Sequence, residues 1–463
     1  MIRFASLRRP GGVAIVARTV LARCTGRIGT LAATTFVAAT LYGLPAEAMK
    51  IEPVTSPGGI RAWLVENEAV PLVTMNFAFT GGGSAQDPAG KEGLANLLST
   101  MLDEGAGTLD SSAFQTQLTE LGVKMGFSAS KDNFAGQLTT LSGYRDQAFD
   151  LLRAALTEPR FDDEPIGRMK SQIIAGIRDD NEDPNAVAGR MWAAAAFPDH
   201  PYGRPGDGTA DSVGTLTRAD LKTFRNRVFA RDNLVIAVVG AIDGKTLGPL
   251  LDQTFGALPD KADLTPVANV TPKTGLSLEK AMPAAQTIIQ FGGPGLLRAD
   301  PDFIPAYVMN HILGGGTFTS WLFEEVREKR GLTYGIDTYL AAYDHAGLFV
   351  GGTATKPEKA AEALKLIREQ ITRMAAQGPT EKELADAKRF LTGSYPLRFD
   401  TSGGISGQLL GIQLDKLGID YIDKRNDLVN AVTLEDVRRV AKRILDADAL
   451  TVVETGALAK QGG

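Results

Sequence analysis

Near residue 92 the sequence reads EGLANLLSTMLDEGAG, which places Asn96, Ser99 and Thr100 at i, i+3 and i+4, on one face of a helix. Side chains at that spacing can converge on one point; two histidines and a carboxylate there would make a hydrolytic zinc site. An amide and two hydroxyls do neither job. Neutral oxygens are poor zinc donors beside imidazole and carboxylate, and none of the three can take a proton from water. The histidines do not fill the gap: His200, His311 and His345 are the only three, and none has a second histidine three or four residues away. His200, in DHPYG, reads as a turn residue, and His311, among apolar neighbours on a helix, as a packed core residue. No G-x-S-x-G is present, and a single cysteine, Cys24, excludes a cysteine dyad. LGGGTFTS (313–320) lacks the G-K-[ST] ending that would set a lysine on phosphates. Its Gly314, Gly315 and Gly316 leave two readings open, a bare backbone that hydrogen-bonds an extended peptide or a tight turn. SWLFEEVREKRGLTYGID (320–337), taken alone, reads as a solvated helical face.

The elements that would position these residues fall into two series. The 463 residues, 44% hydrophobic and 22% charged, suffice for two to four domains without covalent staples. No basic run marks a nucleic-acid surface. Residues 1–48 hold six arginines and one acid, then an apolar stretch and A-E-A, the order of a secretory signal. Cleavage after Ala48 is expected, giving a periplasmic chain with no stable membrane insertion, no cysteine, and 43 basic against 53 acidic residues, a formal charge of −10. Past it, the alternating segment at 60–84 and the helical patterns at 92–104 and 111–121 lead to strands at 123–130 and 133–141. Helices at 144–157, 162–182, 184–197 and 217–229 follow, and NLVIAVVG (233–240) closes the series as a buried-type strand. Residues 257–276 are Pro-rich and without periodicity, a linker between domains 49–256 and 277–463. The second series repeats the order: TIIQFGGPG as strand, helices 301–313 and 319–330, strands 333–342 and 346–354, helices 357–376, 380–397, 402–415 and 433–444, then ALTVVET. FAFTGGGSAQDPAG and IIQFGGPGLLRADP stand at matching points. The expectation is α+β: two similar domains, each a mostly antiparallel sheet packed with helices.

LGGGTFTSWLFEEVREKRGLTYGI resembles the second-domain signature of the inverted-zincin peptidases, the pitrilysin, insulin-degrading enzyme and mitochondrial processing peptidase family. DHPYGRP, NLVIAVVG and the EDP after a long helix extend the likeness from about 50 to 455. The short bacterial branch, in which two-domain chains pair, is the nearest in pattern. The resemblance implies half of a clamshell. It also implies that Arg327 and Tyr334, seven residues apart, reach a zinc site in another chain, hold the substrate carbonyl and stabilise the oxyanion. The family's first-domain H-x-x-E-H falls on Asn96, Ser99 and Thr100, and its third ligand, a later glutamate, on Gly176, 76 residues after Thr100. All four positions lack a ligand or base. The expectation is therefore a non-catalytic subunit with no metal of its own. A homologous zinc-binding subunit would be its partner and peptides its substrates, bound as an added strand along an edge near GGGSAQD (81–87). The alternative is an inactive peptide-binding or scaffold protein of the same fold.

Overall fold

The computed structural model describes residues 49–459; the expected export segment, with Cys24 and Ala48, lies outside them. Two sheets dominate. The first contains β1 (Glu52–Thr55), β2 (Arg61–Glu66), β3 (Leu72–Thr80), β4 (Lys124–Ala129), β5 (Asn133–Leu141) and β6 (Leu234–Gly240), in the order β1-β2-β6-β3-β5-β4. The second contains β7 (Ser277–Ala281), β8 (Thr287–Pro294), β9 (Thr333–Ala342), β10 (Gly347–Thr355) and β11 (Thr451–Gly456), in the order β7-β11-β8-β10-β9. With β1 set aside the two orders are the same. In each, the first strand runs parallel to the last, and every other pairing is antiparallel. The repeat in the sequence is thus a repeat of topology, and the fold is α+β with mostly antiparallel sheets.

Helices α1 (Leu94–Ser99), α2 (Ser111–Glu120), α3 (Arg145–Thr157), α4 (Asp163–Glu182), α5 (Pro184–Ala196), α6 (Ala210–Thr215), α7 (Arg218–Val228) and α8 (Gly244–Phe255) belong to the first series in chain order. With the second go α9 (Phe303–Asn310), α10 (Ala360–Gln377), α11 (Glu381–Gly393), α12 (Ser402–Leu414), α13 (Tyr421–Ala431) and α14 (Leu434–Ile444). Period-two alternation in β3 sends Met75, Phe77 and Phe79 into one core with Leu97, Leu98, Phe149 and Phe255. Threonines 209, 217, 380 and 433 start α6, α7, α11 and α14 through reciprocal capping boxes.

The opposite sheet faces are covered by exchange. Helix α5 of the first series lies on the second sheet: Trp192 Nε1 donates to Thr451 O at 3.1 Å, and Thr455 Oγ1 donates to Pro184 O at 2.7 Å. Gly292 of β8 makes room, since a Cβ there would stand 2.8 Å from the Trp192 ring. Helix α12 of the second series lies on the first sheet, where Asn76 Nδ2 donates to Ser406 Oγ at 2.8 Å and Gln413 Nε2 to Ile236 O at 3.0 Å. A buried seam joins the halves as well: Tyr202 donates to Asp132 Oδ1, and the amides of His345 and Asp344 donate to Tyr202 Oη (3.1 Å) and Asp132 Oδ2 (3.2 Å). Residues 257–276 form no helix or strand, yet they are fastened by Val270 N to His345 O and Lys273 N to Ala196 O, both 2.9 Å.

Several local expectations are corrected. The helix expected at 92–104 is only α1, six residues long, followed by turns. Helices α6, α8 and α13 were not expected, and 319–330 is a 3₁₀ turn (Thr317–Thr319) followed by a π-helical segment, Phe323–Glu328. The edge strand expected at 81–87 is absent. Gly81, at φ +72°, turns the chain out of β3, and Ser84–Gln86 form a buried 3₁₀ turn. The amides of Gly83, Ser84 and Ala85 are already taken by the carbonyls of Asp132, Ser130 and Lys131, so no peptide can add there.

Candidate functional site

Two corners carry the residues of interest. The first is α1. Its N-terminus is set by Gly93 at φ +91°, where a Cβ would lie 2.7 Å from Asp207 O. The buried Asp87 carboxyl fastens it, accepting from Gly93 N and Ala95 N at 2.9 Å each. Burial pushes that carboxyl up to about 7, against the pull of the two amides. Burial likewise lowers neighbouring Lys131, whose ammonium donates to Arg204 O, to about 8.

On this well-mounted helix the side chains turn inward. Ser99 Oγ donates to Asn96 O at 2.8 Å and Thr100 Oγ1 donates to Leu97 O at 2.9 Å. Each hydroxyl proton thus serves the helix's own backbone. Gly176 lies on α4, which packs against α1; a Cβ there would meet nothing within 4 Å. Among the described residues no group of three His, Cys, Asp or Glu side chains is gathered where a metal could be held. The residues present at the four positions do not fit a zinc ion.

The second corner lies where the π-helical segment feeds β9, an edge strand of its sheet. The π-helical segment ends as Gly331 N, at φ +60°, donates to Arg327 O at 2.8 Å, and Leu332 N donates to Val326 O at 3.0 Å. The Arg327 guanidinium sits 4.6 Å from the centroid of the Phe323 ring and 6.0 Å from that of Phe318, and donates to Glu328 Oε1 at 2.9 Å. Tyr334 is 88% exposed and Phe318 70%. Here the side chains point outward from a backed surface.

The glycines of the neighbouring turn are close-packed. A Cβ at Gly314 would collide with Thr338 Oγ1, at Gly315 it would lie 2.7 Å from Asn310 Nδ2, and at Gly316 2.6 Å from His311 O. Asn310 and Thr338 are themselves paired, Asn310 Nδ2 donating to Thr338 O at 3.0 Å and Thr338 Oγ1 to Asn310 Oδ1 at 2.8 Å. His311 is buried and stacked on Phe390 with centroids 5.0 Å apart, and burial lowers its pKa. His200 accepts from Tyr202 N, as its turn position implies. Sequence reasoning missed Asp87, Phe318, Phe323, Thr333 and Thr353. Only Phe318 and Phe323 had a readable signal, as aromatics flanking a charged run.

A duplicated α+β chain whose two halves share one strand order fits the class of peptidase-like chains that the sequence resembles. Residues 68–210 match the family described as insulinase (peptidase family M16), and residues 215–391 match the peptidase M16 inactive domain. An M16 inactive-domain crystal structure from Pseudomonas fluorescens is 30% identical and superposes with a TM-score of 0.84, over 89% of this chain and 99% of that one. A protease structure from Helicobacter pylori, 18% identical, shares the fold at a TM-score of 0.79 over 88% and 99% of the two chains. Among curated relatives, an uncharacterized zinc protease of Streptomyces coelicolor is 27% identical over 85% of this chain and 87% of its own length. The non-peptidase homolog YmxG of Helicobacter pylori is also 27% identical, over 79% and 84%. The chain belongs to the M16 peptidase family.

Proposed function

We infer that this chain is the non-catalytic subunit of a heterodimeric M16 peptidase. A homologous zinc-binding subunit faces it, zinc and the water-activating base belong to that partner, and Arg327 and Tyr334 reach across to the substrate carbonyl. The asymmetry between the two corners carries the reading. Ser99 and Thr100 bond their own helix, while Tyr334 stands 88% exposed on a strand edge beside an aromatic-backed Arg327. A guanidinium and a phenol held in place stabilise the oxyanion of a tetrahedral intermediate without reorganising, a contribution of about 3–4 kcal/mol per donor. The printed name of one relative, a non-peptidase homolog, agrees with a chain that does not hydrolyse peptides alone.

Substrates on this reading are peptides admitted to a closed chamber, with Gly315 and Gly316, but not the buried Gly314, open to an extended segment, and the compartment is the periplasm. No helix among the described residues is long and apolar enough to cross a membrane. The test is co-purification with a zinc-binding homologue, followed by peptide cleavage by each chain alone and by the pair. Cleavage by the pair that exceeds the partner alone supports the reading. A partner equally active by itself, with no stable complex, would leave only the alternative of a peptide-binding or scaffold protein.

A further inference from the structure

Tyr334 protrudes because β9 carries one residue too many. Ile336 opposes Thr353 of β10 and Thr333 opposes Thr355, so Tyr334 and Gly335 together stand against Ala354 alone. A two-against-one bulge resets the alternation of a strand. Thr333 and Ile336 are both buried here, while Tyr334 and Gly335 between them are both exposed. Under strict alternation residues 334 and 336 would share a face, and burying Ile336 would draw the phenol into the core.

A bulge leaves ladder groups without partners. Two buried threonines supply them. Thr333 Oγ1 lies 2.8 Å from Ala354 O, 2.8 Å from Gly335 O and 3.2 Å from Gly335 N, and 2.7 Å from Thr353 Oγ1. Thr353 Oγ1 lies 2.8 Å from Gly335 O. Each hydroxyl has one proton and can also accept. One assignment satisfies the backbone groups of the set: Thr333 donates to Ala354 O and accepts from Gly335 N–H, and Thr353 donates to Gly335 O. On the other flank Thr355 Oγ1 donates to Leu332 O at 2.5 Å. The backbone on both sides of Tyr334 is therefore tied to β10 by side chains where the ladder itself is interrupted.

We propose that Thr333 and Thr353 are positioning residues for Tyr334: their adjacent hydroxyls lock the bulge and so fix where the phenol stands. The proposal rests on the reading of Tyr334 as an oxyanion donor to the partner's site. An exposed ring has little packing of its own, so its placement is set by the backbone that carries it. A donor that must be in place before charge develops needs that backbone held. Thr333→Val keeps the side-chain shape and removes the hydroxyl; Thr333→Ser keeps the hydroxyl.

The test uses the reconstituted pair and this chain alone. In the pair, Thr333→Val lowers kcat about tenfold or more with KM nearly unchanged, and Thr333→Ser restores most of it. In the chain alone, amide hydrogen exchange at Gly335 and Ile336 speeds by about tenfold or more in Thr333→Val and stays near the parent rate in Thr333→Ser. If Thr333→Val does not fold, Thr353→Val serves for both measurements. Unchanged exchange in the valine variant overturns the lock whatever the activity. Faster exchange with unchanged kcat, in a pair that Tyr334→Phe does slow, overturns the positioning role and leaves Tyr334's role standing. If Tyr334→Phe has no effect either, the reading of Tyr334 fails and takes the positioning role with it.

Discussion

The α1 corner and the β9 corner differ less in how well they are mounted than in where their side chains go. Asp87 grips the start of α1 through two amides, and Thr333 with Thr353 grips the bulge that carries Tyr334. At α1 the mounted hydroxyls close onto carbonyls three residues back, so the helix presents no base and no metal ligand. At β9 the phenol is presented to solvent and the guanidinium lies on aromatic rings and donates to Glu328. On the function proposed above, a family scaffold keeps its supports after the chemistry has left one of them. Support geometry reports the fold; only the side chain at the tip reports the function.

The comparison is sharpest in activity. Arg327→Ala or Tyr334→Phe is expected to reduce turnover of the reconstituted pair roughly 10²-fold or more, read by steady-state kinetics. Removing the α1 polar groups together (Asn96→Ala, Ser99→Ala, Thr100→Ala) should leave that turnover within about twofold, because on this reading none of the three side chains reaches the substrate. A large loss in the triple variant would break the contrast.

Metal content gives the next test. The parent chain should carry no stoichiometric zinc by elemental analysis. Asn96→His, Ser99→Glu, Thr100→His and Gly176→Glu combined should bind it at about one per chain, since the mount is intact and three strong donors then share the corner. Zinc in the parent, or none in the fourfold variant, would show that the corners differ in more than their side chains.

The mount itself can be probed by pH. The Asp87 carboxyl titrates near 7 in the fold, above its unfolded value of 3.8, because burial disfavours the charge. A folded-state pKa raised in this way stabilises the fold fully below the unfolded pKa. That contribution is lost as pH rises through about 7. Denaturant midpoints should accordingly decline across this window, and Asp87→Asn should flatten the decline. Smallest of all, Gly176→Ala should stabilise by roughly 0.5–1 kcal/mol, since a Cβ in the middle of α4 meets nothing and alanine favours the helix. A destabilisation measured by chemical unfolding would mean that position 176 has an occupant the fold depends on.

Much of this was legible in the chain. Alternation in LVTMNFAFT and the continuous apolar run of NLVIAVVG mark strands, the second of the fully buried type, and the order of such segments revealed the duplication. That Asn96, Ser99, Thr100 and Gly176 carry no zinc ligand or base is a matter of residue type, so once the resemblance pointed to these positions no coordinates were needed to read it. Other features were hidden. GGGSAQD looked like an available edge because residue type does not record which amides Ser130, Lys131 and Asp132 already occupy.

Residue chemistry and periodicity therefore determined the two α+β halves, while the expectation of vacant metal positions and of an Arg327/Tyr334 pair came from the family resemblance. Tertiary structure alone decided that α5 and α12 trade sheets, that Ser99 and Thr100 turn onto their own helix, and that an extra residue in β9 throws Tyr334 outward. The physical reason is one of range. Local patterns record that a face is covered, whereas hydrogen-bond partners and strand register depend on segments distant in the chain, such as Thr353 twenty residues beyond Thr333.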